Sequence, residues 1–183
     1  MLRARHRISR DIDAFIEDPQ QLSFLSLRLA GEGLWACEAY EESSNHLRLI
    51  FPEGEIDFIV AARITGLESE LQIIDLIEFA VSHEVEVEHP VETAIKKLAY
   101  RSALLQVRDM FDIMVVDSLF PELLRANLSH IAHLKQEILT RLDNVPEDYL
   151  RLEIHELDIA DPWRRRALLC RDRVREMIAA VMT

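Results

Sequence analysis

The sequence predicts an α+β fold, with a mixed or antiparallel sheet in its N-terminal part and a helical C-terminal half. Three observations predict it. Short stretches of alternating apolar and polar residues recur before residue 90, among them "DIDAFI", "HLRLIF" and "EIDFIV". After Val91 the period lengthens to that of a helix, with no glycine or proline between Pro90 and Pro121. And 49% of the 183 residues are hydrophobic, enough to fill a packed core. These features divide the chain into a β-rich core over 1–90 and a helical part over 91–183 packed on it as one compact unit.

The elements follow in order. "DIDAFI" reads as a strand in which Ile12, Ala14 and Ile16 share one face, leaving Asp11 and Asp13 together on the other. In "DPQQLSFLSLRL", Asp18 can cap and Pro19 can open a short helix. "HLRLIF" and "EIDFIVAARI" are both strand-like, and "PEGE" between them suits a hairpin turn and an antiparallel pair. In the second strand Ile56, Phe58 and Val60 line one face, so Asp57 points to the opposite one. "IIDLIEFAVSHEVEVEHP" fits strand or helix, and its end, "HEVEVEHP", reads as extended. From Val91 to Phe120 Ala94, Leu98, Leu105, Met110 and Ile113 can build apolar helical faces, in a long helix with a possible break near Ser102. A second helix starts with Pro121 at its first position and ends near Asn144. "EDYLRLEIHEL" and "DPWRRRALLCRDRVREMIAAVM" supply shorter helices.

Composition narrows the function classes. No run approaches the 18–20 apolar residues of a membrane span, and no apolar segment follows the basic residues of "MLRARHRIS", so no membrane role and a cytoplasmic location are the expectations. Cys37 and Cys170 lack metal or disulfide spacing and read as ordinary thiols. The net charge of −12 argues against general binding to a phosphate backbone. One segment runs against that charge: "WRRRALLCRDRVR" (163–175) holds six arginines and one aspartate. It is either a solvated helix face or a patch for RNA or an acidic partner. His130 and His133, three apart on a helix, read as surface residues rather than ligands. Trp35 and Trp163 read as packing anchors. No nucleophile elbow, Walker A or dinucleotide fingerprint is present.

Two aspartates at i and i+2 on one strand, with a third on a strand that can pair beside it, are a donor set suited to Mg2+, which takes hard oxygen ligands. In "KKLAYRSALLQVRDMFD" Lys97, Arg101, Arg108 and Asp112 are spaced by four, seven and four, close to one helical face. Such a row can meet the phosphates of a nucleoside triphosphate, or it can be an ordinary salt-bridged helix with Arg108 paired to Asp112.

"RHRISRDIDAFIEDP", "EIDFIV" and "VETAIKKLAYRSALLQVRDMFDI", in this order, resemble the AbiEii/AbiGii toxin family, a branch of the polymerase-β-like nucleotidyltransferases. The resemblance spans about positions 3–117, and the "KKLAYR…RDMFDI" segment is its most specific part. It implies that Asp11 and Asp13 bind magnesium, with Ser9 just before them in the nucleotide-binding motif. It also implies that Asp57 completes the metal set and helps activate the acceptor hydroxyl, that Lys97 contacts the triphosphate, and that Asp109 is the aspartate of the last motif, with Arg101, Arg108 and Asp112 beside it. The implied activity is Mg2+-dependent transfer of a nucleotide from an NTP to an acceptor, which in some relatives is tRNA, by the toxin-like member of a bacterial pair with a cognate antitoxin protein. In that superfamily the acidic pair follows a Gly-Gly or Gly-Ser turn that cradles phosphates, whereas the first glycine of this sequence is Gly31. The alternative is therefore a non-catalytic interaction protein that keeps the fold without that turn.

Overall fold

The structure is a computed structural model that describes residues 5–30, 34–76 and 81–181. It is α+β, and its chain divides into two units: Ser9–Arg63, and a second formed by Met1–Ile8 with Ile64–Thr183.

The smaller unit is a four-stranded mixed sheet with two short helices. β1 (Ile12–Ile16), β2 (Ala39–Glu42), β3 (His46–Phe51) and β4 (Gly54–Val60) lie in the order β1-β4-β3-β2. β3 and β4 form the antiparallel hairpin that "PEGE" predicts, with Phe51 opposite Gly54. β1 adds to β4 in parallel, Asp13 opposite Asp57. α1 (Pro19–Leu25) opens as expected, the Asp18 carboxylate accepting from the Gln20 N–H at 2.9 Å with Pro19 in the first turn. α2 (Leu27–Ala30) follows after Ser26.

Alternation explains this unit's core. Ile16, Leu47 and Leu49 are buried with Leu22 of α1, and Ile56, Phe58, Val60 and Trp35 pack around them. Trp35 is the anchor the sequence predicts: its indole donates to the Leu25 carbonyl at 3.1 Å and its ring lies 5.6 Å from that of Phe58. Ile12 shares the face of Ile16 but is 60% exposed, because it stands at the end of an edge strand.

The larger unit contains β5 (Glu70–Leu76) and β6 (Val81–Val87), an antiparallel pair, and then helices. Residues 77–80 of the stretch that fitted strand or helix, like Gly31, lie outside the described residues. The long helix breaks at Ser102, where the sequence allows a break. α3 (Pro90–Arg101) ends in a 3-10 turn, Ser102–Leu104, and α4 (Val107–Leu119) resumes. Glu137 holds the break, accepting from the Ser102 hydroxyl and, at 3.1 Å, from the Ala103 N–H. The second long helix begins at Pro121 and ends at Asn144, but it is α5 (Pro121–Asn127), a 3-10 stretch Leu128–Leu134, and α6 (Lys135–Asp143). Three residues per turn put Leu128 and Ile131 on one side, and both are buried. α7 (Glu147–Glu156), α8 (Asp161–Ala167) and α9 (Cys170–Ala179) complete the unit. Ala94, Leu98, Leu105, Met110 and Ile113, the predicted apolar positions, all lie in its core.

The division differs from an expected boundary at residue 90. The segment from Ile64 is tied to α3, because Glu92 accepts from the Ile64 and Thr65 N–H groups, each at 2.8 Å. At the other end, the Ile8 N–H donates to Asp158 O and the Ala160 N–H to His6 O, fixing residues 6–8 to the chain after α7. Neither tie is legible locally, since each links residues far apart in sequence.

Candidate functional site

The acidic set belongs to the smaller unit. Aligned residues of parallel strands point to the same face, so the register Asp13↔Asp57 sets these carboxylates side by side on neighbouring strands, about 5 Å apart at the backbone. Asp57 is buried and Asp13 exposed. Asp11 differs from expectation: it is exposed and precedes β1, whose ladder starts at Ile12. Continuing the register one step would place Asp11 beside Glu55, and one further step sets Arg10 beside Gly54. At Gly54 (φ +155°) a Cβ would stand 2.1 Å from the Arg10 carbonyl oxygen, so only glycine lets the backbone before Asp11 approach the hairpin turn. Ser9, half-buried, begins this unit.

Asp57 is held by two groups that the motif reading missed. His46 Nε2 lies 2.7 Å and Arg48 Nε 2.9 Å from its Oδ1. Arg48 also reaches Glu55 at 3.4 Å and Glu41 at 3.5 Å. The signal was present in the sequence: a hairpin closed between Phe51 and Gly54 pairs residue 48 with 57, and alternation puts His46 on the same face. The Arg48 guanidinium is held above its ordinary value chiefly by its hydrogen bond to Asp57.

Carboxylate oxygens are the donors Mg2+ prefers, and this ion commonly uses one or two protein carboxylates with substrate phosphates and water for the rest. Asp13 and Asp57 fit that pattern, since among the described residues Oδ2 of Asp57 has no hydrogen-bond partner. Among the described residues no three His, Cys, Asp or Glu side chains come close enough to form a closed metal cage.

The cationic set belongs to the larger unit, and the break at Ser102 rearranges it. Instead of one row along a helix, α3 and α4 set cations of one helix against carboxylates of the other. Lys97 Nζ lies 3.1 Å from Asp109 Oδ1 and 2.5 Å from Asp112 Oδ2. Arg101 donates to Asp109 Oδ1 at 2.8 Å, and the Gln106 N–H at the start of α4 donates to Asp109 Oδ2 at 3.1 Å. Asp109 is completely buried and pairs with both Lys97 and Arg101. Arg108 does not pair with Asp112, and among the described residues it has no ion-pair partner.

Two further members come from a segment that the spacing argument could not connect. Arg7 grips Asp112 with Nε at 2.8 Å and Nη2 at 2.9 Å, and His6 Nε2 lies 2.8 Å away. An ionised carboxylate can only accept, so His6 donates to it from Nε2; among the described residues its buried Nδ1 has no hydrogen-bond partner. Burial pushes the carboxyls of Asp109 and Asp112 up, but the Lys97 charge and the attached donors outweigh it. Asp109 is held below, and Asp112 well below, the usual carboxylate value.

The arginine-rich segment is largely neutralised within its own unit. Arg164 pairs with Asp161, Arg171 with Asp172 and Glu147, Arg173 with Glu176 and Asp117, and Arg175 with Asp143. Arg165 and Arg166 remain exposed without ion pairs among the described residues. Among those residues no helix is long and apolar enough to cross a membrane.

Comparison of the chain with protein-family models, with curated proteins and with solved structures gives no match.

Proposed function

We propose that the chain is a nucleotidyltransferase-like protein of the AbiEii/AbiGii type, transferring a nucleotide from an NTP to an acceptor hydroxyl with Mg2+. The observation that carries this reading is the pairing of Asp13 with Asp57 in the register of two parallel strands. Asp13 and Asp57 would hold the ion, with Asp11, which the sequence resemblance adds to them, just before β1. Bound Mg2+ supplies charge neutralisation on the phosphates and a more acidic acceptor oxygen. His46 and Arg48 keep Asp57 oriented. The sequence resemblance alone assigns Lys97 and Arg101 to the triphosphate; within the larger unit they are held by Asp109 and Asp112, and Arg101 is the more open, 38% exposed at its side chain against 15% for Lys97. A tRNA acceptor, a toxin-like role and a cognate antitoxin belong to the same reading through the sequence resemblance alone.

A second reading, a non-catalytic interaction protein, is favoured by one observation: Lys97 and Arg101 are already neutralised by Asp109 and Asp112. Incubation with α-labelled NTPs, Mg2+ and bulk tRNA separates the two. Label transfer that is lost in Asp13→Asn and Asp57→Asn, with the fold retained, supports the transferase. No transfer to RNA or protein with any NTP supports the interaction protein.

A further inference from the structure

Asp117, in the last turn of α4, is a carboxylate that the proposed site does not use. Its side chain is 9% exposed, and among the described residues its carboxylate accepts no hydrogen bond. Oδ1 is buried with no donor, a costly state for a carboxylate oxygen. Two guanidiniums flank it without satisfying it. Arg125 of α5 gives Nη1 to Glu122 at 3.1 Å, and its Nη2 stops 3.7 Å from Asp117 Oδ1. Arg173 of α9 gives Nη1 to Glu176 at 3.1 Å, and its Nη2 stops 3.6 Å from Asp117 Oδ2. Both gaps exceed a hydrogen bond. The two arginines, each half-exposed, line a cavity of about 200 Å3 with Asp117, Glu176, Met177 and Ala180, room for about seven waters. All six residues belong to the larger unit.

We infer that this cavity between α4, α5 and α9 binds a small zwitterion of the α-amino acid class. The ammonium would supply the donor that Asp117 lacks. The carboxylate would accept from Arg125 and Arg173, whose planar forks suit it. A small side chain would lie against Met177 and Ala180. Charge selects this class over simpler ions. The lining holds two carboxylates and two guanidiniums, so a lone anion meets Asp117 and Glu176, and a lone cation meets both arginines. A ligand with both charges side by side answers both. The inference stands independently of the nucleotidyltransferase reading, whose Asp13 and Asp57 belong to the other unit.

The test titrates the full chain with glycine, L-alanine, L-serine and L-valine, reading backbone amide shifts by NMR. At least one should bind, with the largest shifts around Asp117, Arg125 and Arg173. The amide and the N-acetyl derivative of the amino acid bound each lack one charge and should bind at least about tenfold more weakly. Asp117→Asn and Arg173→Gln should each weaken binding to the same degree. Arg175→Gln, on the same helix but paired with Asp143 outside the cavity, should leave it unchanged, and so should Asp13→Asn. Asp117→Asn keeps the shape and breaks no hydrogen bond, Arg173 is half-exposed, and circular dichroism confirms that each variant folds. Binding of none of the four amino acids, as when water alone completes Asp117, would overturn the inference. So would equal binding of the singly charged derivatives, shifts centred elsewhere, or binding that Asp117→Asn and Arg173→Gln both retain.

Discussion

Asp13 and Asp57 occupy one position of the register between parallel strands β1 and β4, although 43 residues separate them in the chain (57 − 13 − 1). Two like charges so placed are costly unless something positive lies nearby, and part of that charge is Arg48, whose Nε is 2.9 Å from Asp57. The remainder is open to a cation, which is what makes the pair a candidate site rather than a surface accident.

The approach of Arg10 to Gly54 places the segment that leads into Asp11. Gly54→Ala sets a Cβ 2.1 Å from a backbone carbonyl oxygen, where no side-chain movement can relieve it. The variant is expected to lose about 2 kcal/mol or more in urea denaturation. Ala in place of the exposed Gly66, whose Cβ would meet nothing within 4 Å, carries only the strain of its φ of +68° and should lose less.

Asp112 gathers Lys97, Arg7 and His6 in a buried site. Asp112→Asn keeps the shape but removes the carboxylate that Arg7 grips and leaves Lys97 only its longer contact with Asp109. Breaking a buried ion pair from one side costs about 3–5 kcal/mol, so the midpoint of denaturation should fall accordingly. A loss under 1 kcal/mol would mean that water, rather than Asp112, carries those charges.

Acid should act on the same pair. Asp109 and Asp112 titrate below the ordinary value of 3.8 in the folded chain. The unfolded chain therefore binds protons first as pH falls, and the stability these groups contribute is complete above that value and lost below it. Denaturation midpoints measured from pH 7 to pH 2 should drop most steeply below about 4, and Asp112→Asn should flatten that drop.

How much of this was legible in the sequence depends on the reach of each rule. Alternation and the "PEGE" turn predict the β3–β4 hairpin, the faces of Ile56 and Asp57 and, followed through, the Arg48–Asp57 pair. Capping chemistry predicts the start of α1 at Pro19. Helical spacing identifies the core positions Ala94 to Ile113, but it reads Lys97, Arg101, Arg108 and Asp112 as one row. The sequence leaves a break near Ser102 open, but its anchoring by Glu137, 35 residues away, is not legible there. The capture of Asp112 by His6 and Arg7 spans more than 100 residues and has no local signature.

The two thiols should differ. Cys170 is buried at the start of α9, and burial pushes its thiol up to about 12, so it has almost no thiolate at neutral pH. Cys37 is only half-buried. With a thiol reagent at pH 8, one equivalent should react in the native chain and the second only on unfolding. Mass spectrometry should place the first on Cys37.

Calorimetric titration of NTPs in the presence and absence of Mg2+, on the native chain and on Asp11→Asn, Asp13→Asn, tests the central claim most directly. The account predicts Mg2+-dependent binding of at least one NTP by the native chain and its loss in the double variant. Binding of no NTP, or binding that the double variant retains, would contradict it.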